Sequence, residues 1–487
     1  MSRARSHRTS AARISGSALA AFLGMLTLAF GSVGAAAEEA APCGPFEAGP
    51  TRIVQLAADR TVRDPGVQAP AGTGGAADPG SIVPLPGPAS DDPSGGGSGA
   101  DATADAAEEA SEALLALPKD AAGAIPTDFE LGPGAKVAHS FFSPVICATV
   151  ARVEGPPGAT LDQLVTVVPD TGIVVPNDVY ASAADEVVPL AAAPTAADPY
   201  APLQYGLALS GVKQARPLGA GQGVRIALLD SAPDLAHRDL APSDILAVAT
   251  DSPGRAGVHG TLMAGVIGAA ENNGYGIAGL APAARIVSIP ICTSKGGAGG
   301  RCTIYQMLQG FDHAYEAEAV IVNLSLSGPP NPLLERGVAR LEELGMVVVA
   351  AAGNEGQEER RYPAAYPSVV GVGAVDREGR LFPSSNRGAW VELHAPGVEV
   401  LSTVPGSAFA FGSGTSLAAA HVTGSLAVLT GITGDAMRAR SELFRVVNAR
   451  TGGGLPILPP VCEVLSRTDR DCGAPAAAPA KKAGASR

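Results

Sequence analysis

Beyond residue 220 the chain alternates between two textures. Short, nearly continuous apolar runs rich in Val and Ile stand at VRIALLD (224–230), ARIVSIPIC (284–292), AVIVNLSLS (319–327), GMVVVAAAG (345–353) and SVVGVGAVD (368–376). Between them lie helix-like stretches, HGTLMAGVIGAA (259–270), TIYQMLQGFDHAYEAE (303–318) and LLERGVARLEEL (333–344). A strand that is apolar on both faces is buried on both, and such strands alternating with helices build a parallel sheet covered on each side. The pattern predicts a doubly wound α/β domain over residues 198–432, its sheet mostly parallel. In sheets of that kind the functional groups collect at the carboxyl ends of the strands.

Upstream the pattern is broken. KVAHSFFSPVICATVARV (136–153) reads as strand, ATLDQLVTVVPD (159–170) as a short helix or strand, and TGIVVPNDVY (171–180) as an extended piece, so a small α+β region is expected over 113–190. Within the preceding segment, 38–112, residues 64–107 are Pro, Gly, Ala, Ser and Asp with hardly an apolar cluster. That composition buries too little surface to offset its ordering entropy and reads as a disordered linker. A second Ala/Pro linker covers 190–199, and the tail 433–487 is polar, then Ala/Pro/Lys-rich.

The first residues add an address. Arg3, Arg5, Arg8 and Arg13 precede an apolar run from Ala18 to Phe30 and a small-residue site ending at Ala37, the form of a cleaved signal peptide over 1–37. The run is too short to span a bilayer, and no later segment reads as long and apolar enough. The expected product is exported, to the periplasm or the medium, with no stable membrane insertion after cleavage. The net charge of −13, which becomes −17 without the leader, argues against a nucleic-acid partner, because phosphate binding needs a basic face. An apolar fraction of 46% with only 4% aromatics implies an Ala/Val/Leu core. The six cysteines of an exported chain read as disulfides. Cys292–Cys302 and Cys462–Cys472 look like local loop closures, and Cys43–Cys147 is left by elimination.

Several polar residues fall where a parallel sheet places chemistry. Asp230 ends the first strand, His259 opens a helix, Asn354 follows the strand MVVVAAAG, and Ser416 opens the helix SLAAAHVTGSLAVL. Ser416 also reads as a helix cap, since a hydroxyl there accepts from orphan backbone N–H groups. An acid, an imidazole, an amide donor and a hydroxyl together make the set that acyl transfer needs. Two rival chemistries fail on geometry. The glycines of GAGQG (219–223) precede their strand, whereas a dinucleotide site needs them after it. His237, His259, His313, His394 and His421 form no H-E-x-x-H pattern for a zinc hydrolase.

The segments VRIALLDSAPDLAHRDL, HGTLMAGVIGA, AAENNGYGIAGLAP, IVNLSLSG, VVVAAAGNEG, YPAAYPSVVGVGAVD, HAPGVEVLSTVP and GTSLAAAHVTGSLAVL follow one another in unbroken order over about residues 200–432. In that order the chain resembles the subtilisin-like serine proteases, whose Asp, His, Ser sequence of triad residues it also shares. The resemblance implies a subtilisin-like fold and a serine endopeptidase with Asp230, His259 and Ser416 as its triad. It implies Asn354 as side-chain oxyanion donor, Ser325, Leu326 and Ser327 as the edge that holds a peptide substrate, and Ala352 and Gly353 as the lining of the pocket before the scissile bond. It implies no cofactor for the chemistry and a structural calcium with Asp239 and Asn273 among its oxygen ligands, although the glycines of that loop fit a plain turn equally well. Residues 113–190 resemble the family's pro-domains, which act as intramolecular inhibitors, and VVPNDVY is the candidate for the strand laid in the active site. A plain accessory domain fits the same residues. The chain departs from the family pattern at Ala232, Leu262, Ser327, Leu417 and Ala420, none of which removes a proton-transferring group. The reading is therefore a secreted serine endopeptidase acting on proteins or peptides; the alternative is a catalytically silent domain of the same fold that binds peptides along 323–328.

Overall fold

A computed structural model describes residues 111–118, 129–169, 171–182, 186–189, 198–251, 256–293, 300–450, 454–468, 470 and 472. The expected leader, the linker 64–107, the linker up to residue 197, Cys43 and the end of the tail lie outside the described residues.

At the centre is a seven-stranded sheet, every pairing in it parallel. Its strands lie in the order Ile245–Ala247, Arg285–Pro290, Arg225–Asp230, Ile321–Leu324, Val347–Ala351, Val369–Val375 and Leu393–Pro396. The first strand in sequence, Arg225–Asp230, sits third, so the winding reverses beside it and opens a crevice at the strand ends. Alternate residues of that strand feed opposite cores. Ile226 and Leu228 pack with the helices Val258–Gly268 and Thr415–Thr433. Ala227 and Leu229 pack with Ile304–Glu316 and Pro332–Glu343. The period of two along a strand buried on both faces produces this division.

Helix Thr415–Thr433 is the keystone. It is buried from Thr415 through Thr430, enclosed by the sheet and by helices Val258–Gly268 and Ala436–Arg450. By length and composition alone it would pass for a membrane span, against the sequence-based expectation; its apolar faces are instead covered by protein. The replacements Leu262, Leu417 and Ala420 are all fully buried in this layer, where each leucine is worth about 1.5–3 kcal/mol of burial. The tail also differs from expectation. Residues Ala436–Arg450 form a helix whose Ala439, Leu443, Val446 and Val447 join the core, because its apolar positions recur at helical spacing among many charges. Cys292–Cys302 and Cys462–Cys472 are disulfide-bonded as expected, and Cys147 is disulfide-bonded too.

The N-terminal layer is an antiparallel sheet in the order Lys136–Ser143, Ala148–Gly155, Ser111–Pro118, Ile173–Pro176. The stretch 136–153 is thus two strands, not one, split by the turn at Pro144. Its inner face, with Leu114 and Val150, and Ile146 of the turn share a core with helices Ile304–Glu316 and Pro332–Glu343. One polar contact marks the junction: Asp312 Oδ1 accepts from Ser143 Oγ at 2.7 Å and from Val145 N at 3.2 Å. Burial, aided by the nearby Glu316, pushes the Asp312 carboxyl up to about 7. A carboxyl raised in the folded state contributes stability below its unfolded value that is lost as pH rises through its folded value. Docking of strand Lys136–Ser143 should therefore loosen between about pH 4 and pH 7. In Asp312→Asn, which keeps the acceptor without the charge, amide exchange in that strand should lack this extra acceleration. Identical pH profiles for the two proteins would refute the assignment.

Candidate active site

Asp230 closes its strand at the crevice, 1% exposed. Its Oδ1 accepts from the Ser231 backbone N–H at 2.7 Å, and both carboxylate oxygens lie 2.8 Å from Nδ1 of His259. His259 is the second residue of helix Val258–Gly268. Ser231 ties the strand to that helix, since its Oγ accepts from Gly260 N at 3.0 Å. Gly260 is required there: a Cβ would fall 1.9 Å from the Ser231 carbonyl oxygen. With Nδ1 committed to Asp230, Nε2 of His259 is buried and has no hydrogen-bond partner among the described residues. An imidazole held in this way presents an acceptor nitrogen.

Ser416 lies in the first turn of helix Thr415–Thr433, but the cap is Gly414, at φ 146°. The sequence-based reading of Ser416 as a cap is corrected, and the reason is geometric: the hydroxyl points away from its own helix. Ser416 Oγ donates to the Ser325 carbonyl at 3.2 Å, and Ser325 Oγ donates back to the Ser416 carbonyl at 3.2 Å. Ser325 also accepts from Asn323 Nδ2 at 2.9 Å, and Asn323 Oδ1 accepts from Thr423 Oγ1 at 2.8 Å. These bonds fasten the end of strand Ile321–Leu324 to the helix.

Asn354 follows strand Val347–Ala351 and is half-buried. Its Oδ1 accepts from both the N–H and the hydroxyl of Thr415, each at 2.9 Å, which turns the amide NH2 end away from Thr415. Thr415 Oγ1 in turn accepts from Gly353 N at 3.1 Å. Gly353 has φ 96°, and a Cβ there would come within 2.6 Å of Asn386 Nδ2. Asn386, fully buried, donates to the Ala352 carbonyl at 3.0 Å and to Glu355, and its backbone N–H reaches the Gly353 carbonyl at 3.0 Å. Sequence reasoning missed Thr415 and Asn386. Thr415 stood next to Ser416 in a hydroxyl-rich stretch and was legible in principle; Asn386, in the turn SSNRG, carried no signal at all.

The expected edge at Ser325, Leu326 and Ser327 divides by role. The side chains of Ser325 and Leu326 are buried inward, whereas the backbone of half-buried Ser327 exchanges both hydrogen bonds with Ala181, at 3.2 and 3.1 Å. Ala181 belongs to strand Val179–Ser182, which also pairs antiparallel with Gly300–Thr303. Tyr180 of this strand is fully buried over Gly328, where a Cβ would come 2.5 Å from its ring, and its hydroxyl donates to the Pro329 carbonyl.

Residues 221–442 match the family model described as Subtilase family. The chain is 37% identical over 237 residues to the thermophilic serine proteinase of Bacillus sp. (strain AK1), covering 48% of this chain and 58% of that protein. It is 35% identical to the major intracellular serine protease of Bacillus subtilis (strain 168), covering 47% and 76%, and 34% identical to thermitase of Thermoactinomyces vulgaris, covering 53% and 93%. The chain belongs to the subtilase family. Members are serine proteases, hydrolases of the peptide bond, and this subtilase falls in that enzyme class.

Subtilases need no cofactor for catalysis and often bind structural calcium. In this subtilase Asp239 and Asp198 are both buried, and neither makes an ion pair among the described residues. All four of their oxygens accept N–H groups, from Asn272 N and Asn273 N on Asp198 and from Asn273 Nδ2 and Ile277 N on Asp239, and burial pushes the Asp239 carboxyl up to about 6. Asp239 Oδ1 here faces the amide NH2 of Asn273 at 2.9 Å, and Asn273 Oδ1 accepts from Tyr275 N at 2.8 Å. Among the described residues no group of three or more His, Cys, Asp or Glu side chains is placed to hold a metal ion.

The Thr415 hydroxyl is the link between Gly353, Asn354 and the Ser416 helix. Thr415→Val keeps the shape but leaves the buried Gly353 N–H without its acceptor, which should cost about 1–3 kcal/mol in urea unfolding. An unchanged midpoint would show that the hydroxyl contributes nothing to this junction.

Proposed function

We propose that this subtilase is a serine endopeptidase that cleaves peptide bonds through an acyl-enzyme on Ser416. The observation that carries the reading is the His259 imidazole, held at Nδ1 between both oxygens of Asp230 with Nε2 buried and without a partner among the described residues. The Ser416 hydroxyl leaves the Ser325 carbonyl, a long bond for an O–H donor, by rotating about Cα–Cβ. His259 Nε2 takes its proton as Oγ attacks the scissile carbonyl carbon, and Asp230 stabilises the imidazolium without itself accepting the proton. The developing oxyanion is received by the Asn354 amide and the Ser416 backbone N–H, with the helix N-terminus adding its favourable field. His259 then protonates the leaving amine, and water repeats the sequence to release the acid.

A peptide lies as an added strand on Ser327, with Ala352 and Gly353 beside the residue before the cut. Strand Val179–Ser182 supports the reading that residues 113–190 serve as an intramolecular inhibitor, since it sits on that same edge. The leader-like segment 1–37 and the disulfides support export.

A serine-directed fluorophosphonate should label the folded protein, and Ser416→Ala should not react. Asn354→Leu should slow labelling about 100-fold, the usual effect of one oxyanion donor. Wild type and Ser416→Ala behaving alike would leave the peptide-binding domain as the better description.

Calcium is proposed as a structural ion at Asp239 and Asn273, outside the chemistry, where it would displace the N–H donors that the Asp239 carboxylate accepts. Chelation should lower the melting temperature by about 5–10 °C in wild type and leave Asp239→Asn unmoved. Equal melting of wild type with and without chelator would exclude the ion.

A further inference from the structure

A backbone laid on Ser327 meets a second wall on its other side. Ala181 exchanges both of its backbone hydrogen bonds with Ser327. By the alternation of a strand, Tyr180 and Ser182 then turn their backbone groups the opposite way. There they lie opposite Cys302 and Gly300 of strand Gly300–Thr303, and Gly300 N also donates to the Ser182 hydroxyl at 2.9 Å. Cys302 is thus the residue across from Tyr180 on the far side of the clasp.

What holds that wall in place is a covalent bond. Among the described residues the other strand partner of Gly300–Thr303 is Cys292–Thr293, two residues long, with Cys292 opposite Cys302 and Thr293 opposite Arg301. Because Cys302 turns its backbone groups toward Tyr180, it makes a non-hydrogen-bonded pair with Cys292. Their Cα atoms are 4.3 Å apart, the close spacing of such a pair. A ladder this short is marginal in water. The Cys292–Cys302 disulfide joins the strands at the pair where no backbone bond does, and both cysteines are buried in one core with Tyr180. The residue before Cys292 belongs to the catalytic floor, since Ile291 N donates to the Asp230 carbonyl at 2.9 Å. At its other end the wall passes into helix Ile304–Glu316, whose cap Thr303 accepts from Gln306 N at 3.3 Å.

We propose that the Cys292–Cys302 disulfide is a positioning device for polypeptide substrates, holding strand Gly300–Thr303 where it clasps the peptide backbone against Ser327. The pair touches no reacting atom and acts through the wall. Its effect falls on extended peptides long enough to reach Cys302 and spares small reagents that meet Ser416 alone. The chain's own Val179–Ser182 stands in for such a peptide in this structure. The inference rests on the reading of Ser416 as nucleophile and of Ser327 as the edge that holds substrate.

The test compares Cys292→Ala/Cys302→Ala with Cys462→Ala/Cys472→Ala, which opens the other loop closure of the same sequence separation, 10 residues. In the full chain carrying Ser416→Ala, amide exchange at Tyr180 and Ser182 should quicken roughly 10-fold in the first variant, the scale of one or two backbone hydrogen bonds. It should keep the parent rate in the second. The central strand Arg225–Asp230 serves as reference: equal acceleration there shows a general staple and overturns the proposal, as does unchanged exchange at Tyr180. With Ser416 intact, an N-acylated tetrapeptide anilide with the sequence of residues 180–183 should show a KM about 10-fold higher in the first variant, at unchanged kcat and unchanged fluorophosphonate labelling. An unchanged KM in protein that labels normally overturns the clasp and leaves the protease reading intact. Failure of wild type to label removes the protease reading instead, and the exchange comparison then decides the clasp by itself.

Discussion

Where strand Ile321–Leu324 ends, Ser325 and Ser416 exchange hydroxyl-to-carbonyl hydrogen bonds, and the position of everything else in the crevice depends on that junction. A helix apolar on all sides can be buried without cost along its length, but its first turn carries backbone N–H groups that must find partners. That turn sits where the parallel strands finish. The same requirement brings Asn354 onto Thr415 from the neighbouring strand. Packing and chemistry therefore meet at one set of atoms.

The rest of the site is arranged by what surrounds this junction. Strand Arg225–Asp230 lies next to Ile321–Leu324, which places Asp230 within the same row of strand ends. Ser231 and Gly260 bring helix Val258–Gly268 close enough for the imidazole to span both carboxylate oxygens. Buried cores on both faces of the sheet make these placements stiff, as close-packed interiors resist small displacements. Against this rigid floor the backbone at Ser327 and at Ala410–Ser413 takes on further strands. The chain's own segments use both.

Much of the fold was legible because it follows from local patterning. The apolar runs ending at Asp230, Leu324, Ala351 and Val375 are strands within a few residues of their expected bounds, and the intervening helices match as closely. Where several readings shared one pattern, the sequence stayed silent. The stretch 136–153 hid a turn at Pro144 inside an unbroken apolar texture. Helix Ala436–Arg450 was obscured by its charges, since only a few of its residues reach the core. Ser416 read as a cap because hydroxyls at helix starts usually are; the cap is Gly414, whose backbone angle suits glycine.

The sequence by itself determined the parallel α/β architecture, the four polar residues at strand ends and the family to which they belong, because periodicity and short motifs are local properties of the chain. Tertiary structure alone decided the rest. It selected which atoms of Ser325, Leu326 and Ser327 face outward, recruited Asn386 from a distant segment, and laid Val179–Ser182 and Glu186–Pro189 along two different edges. Hydrogen-bond partners far apart in sequence leave no periodic trace, and a strand's choice of edge depends on which backbone groups the folded core leaves open.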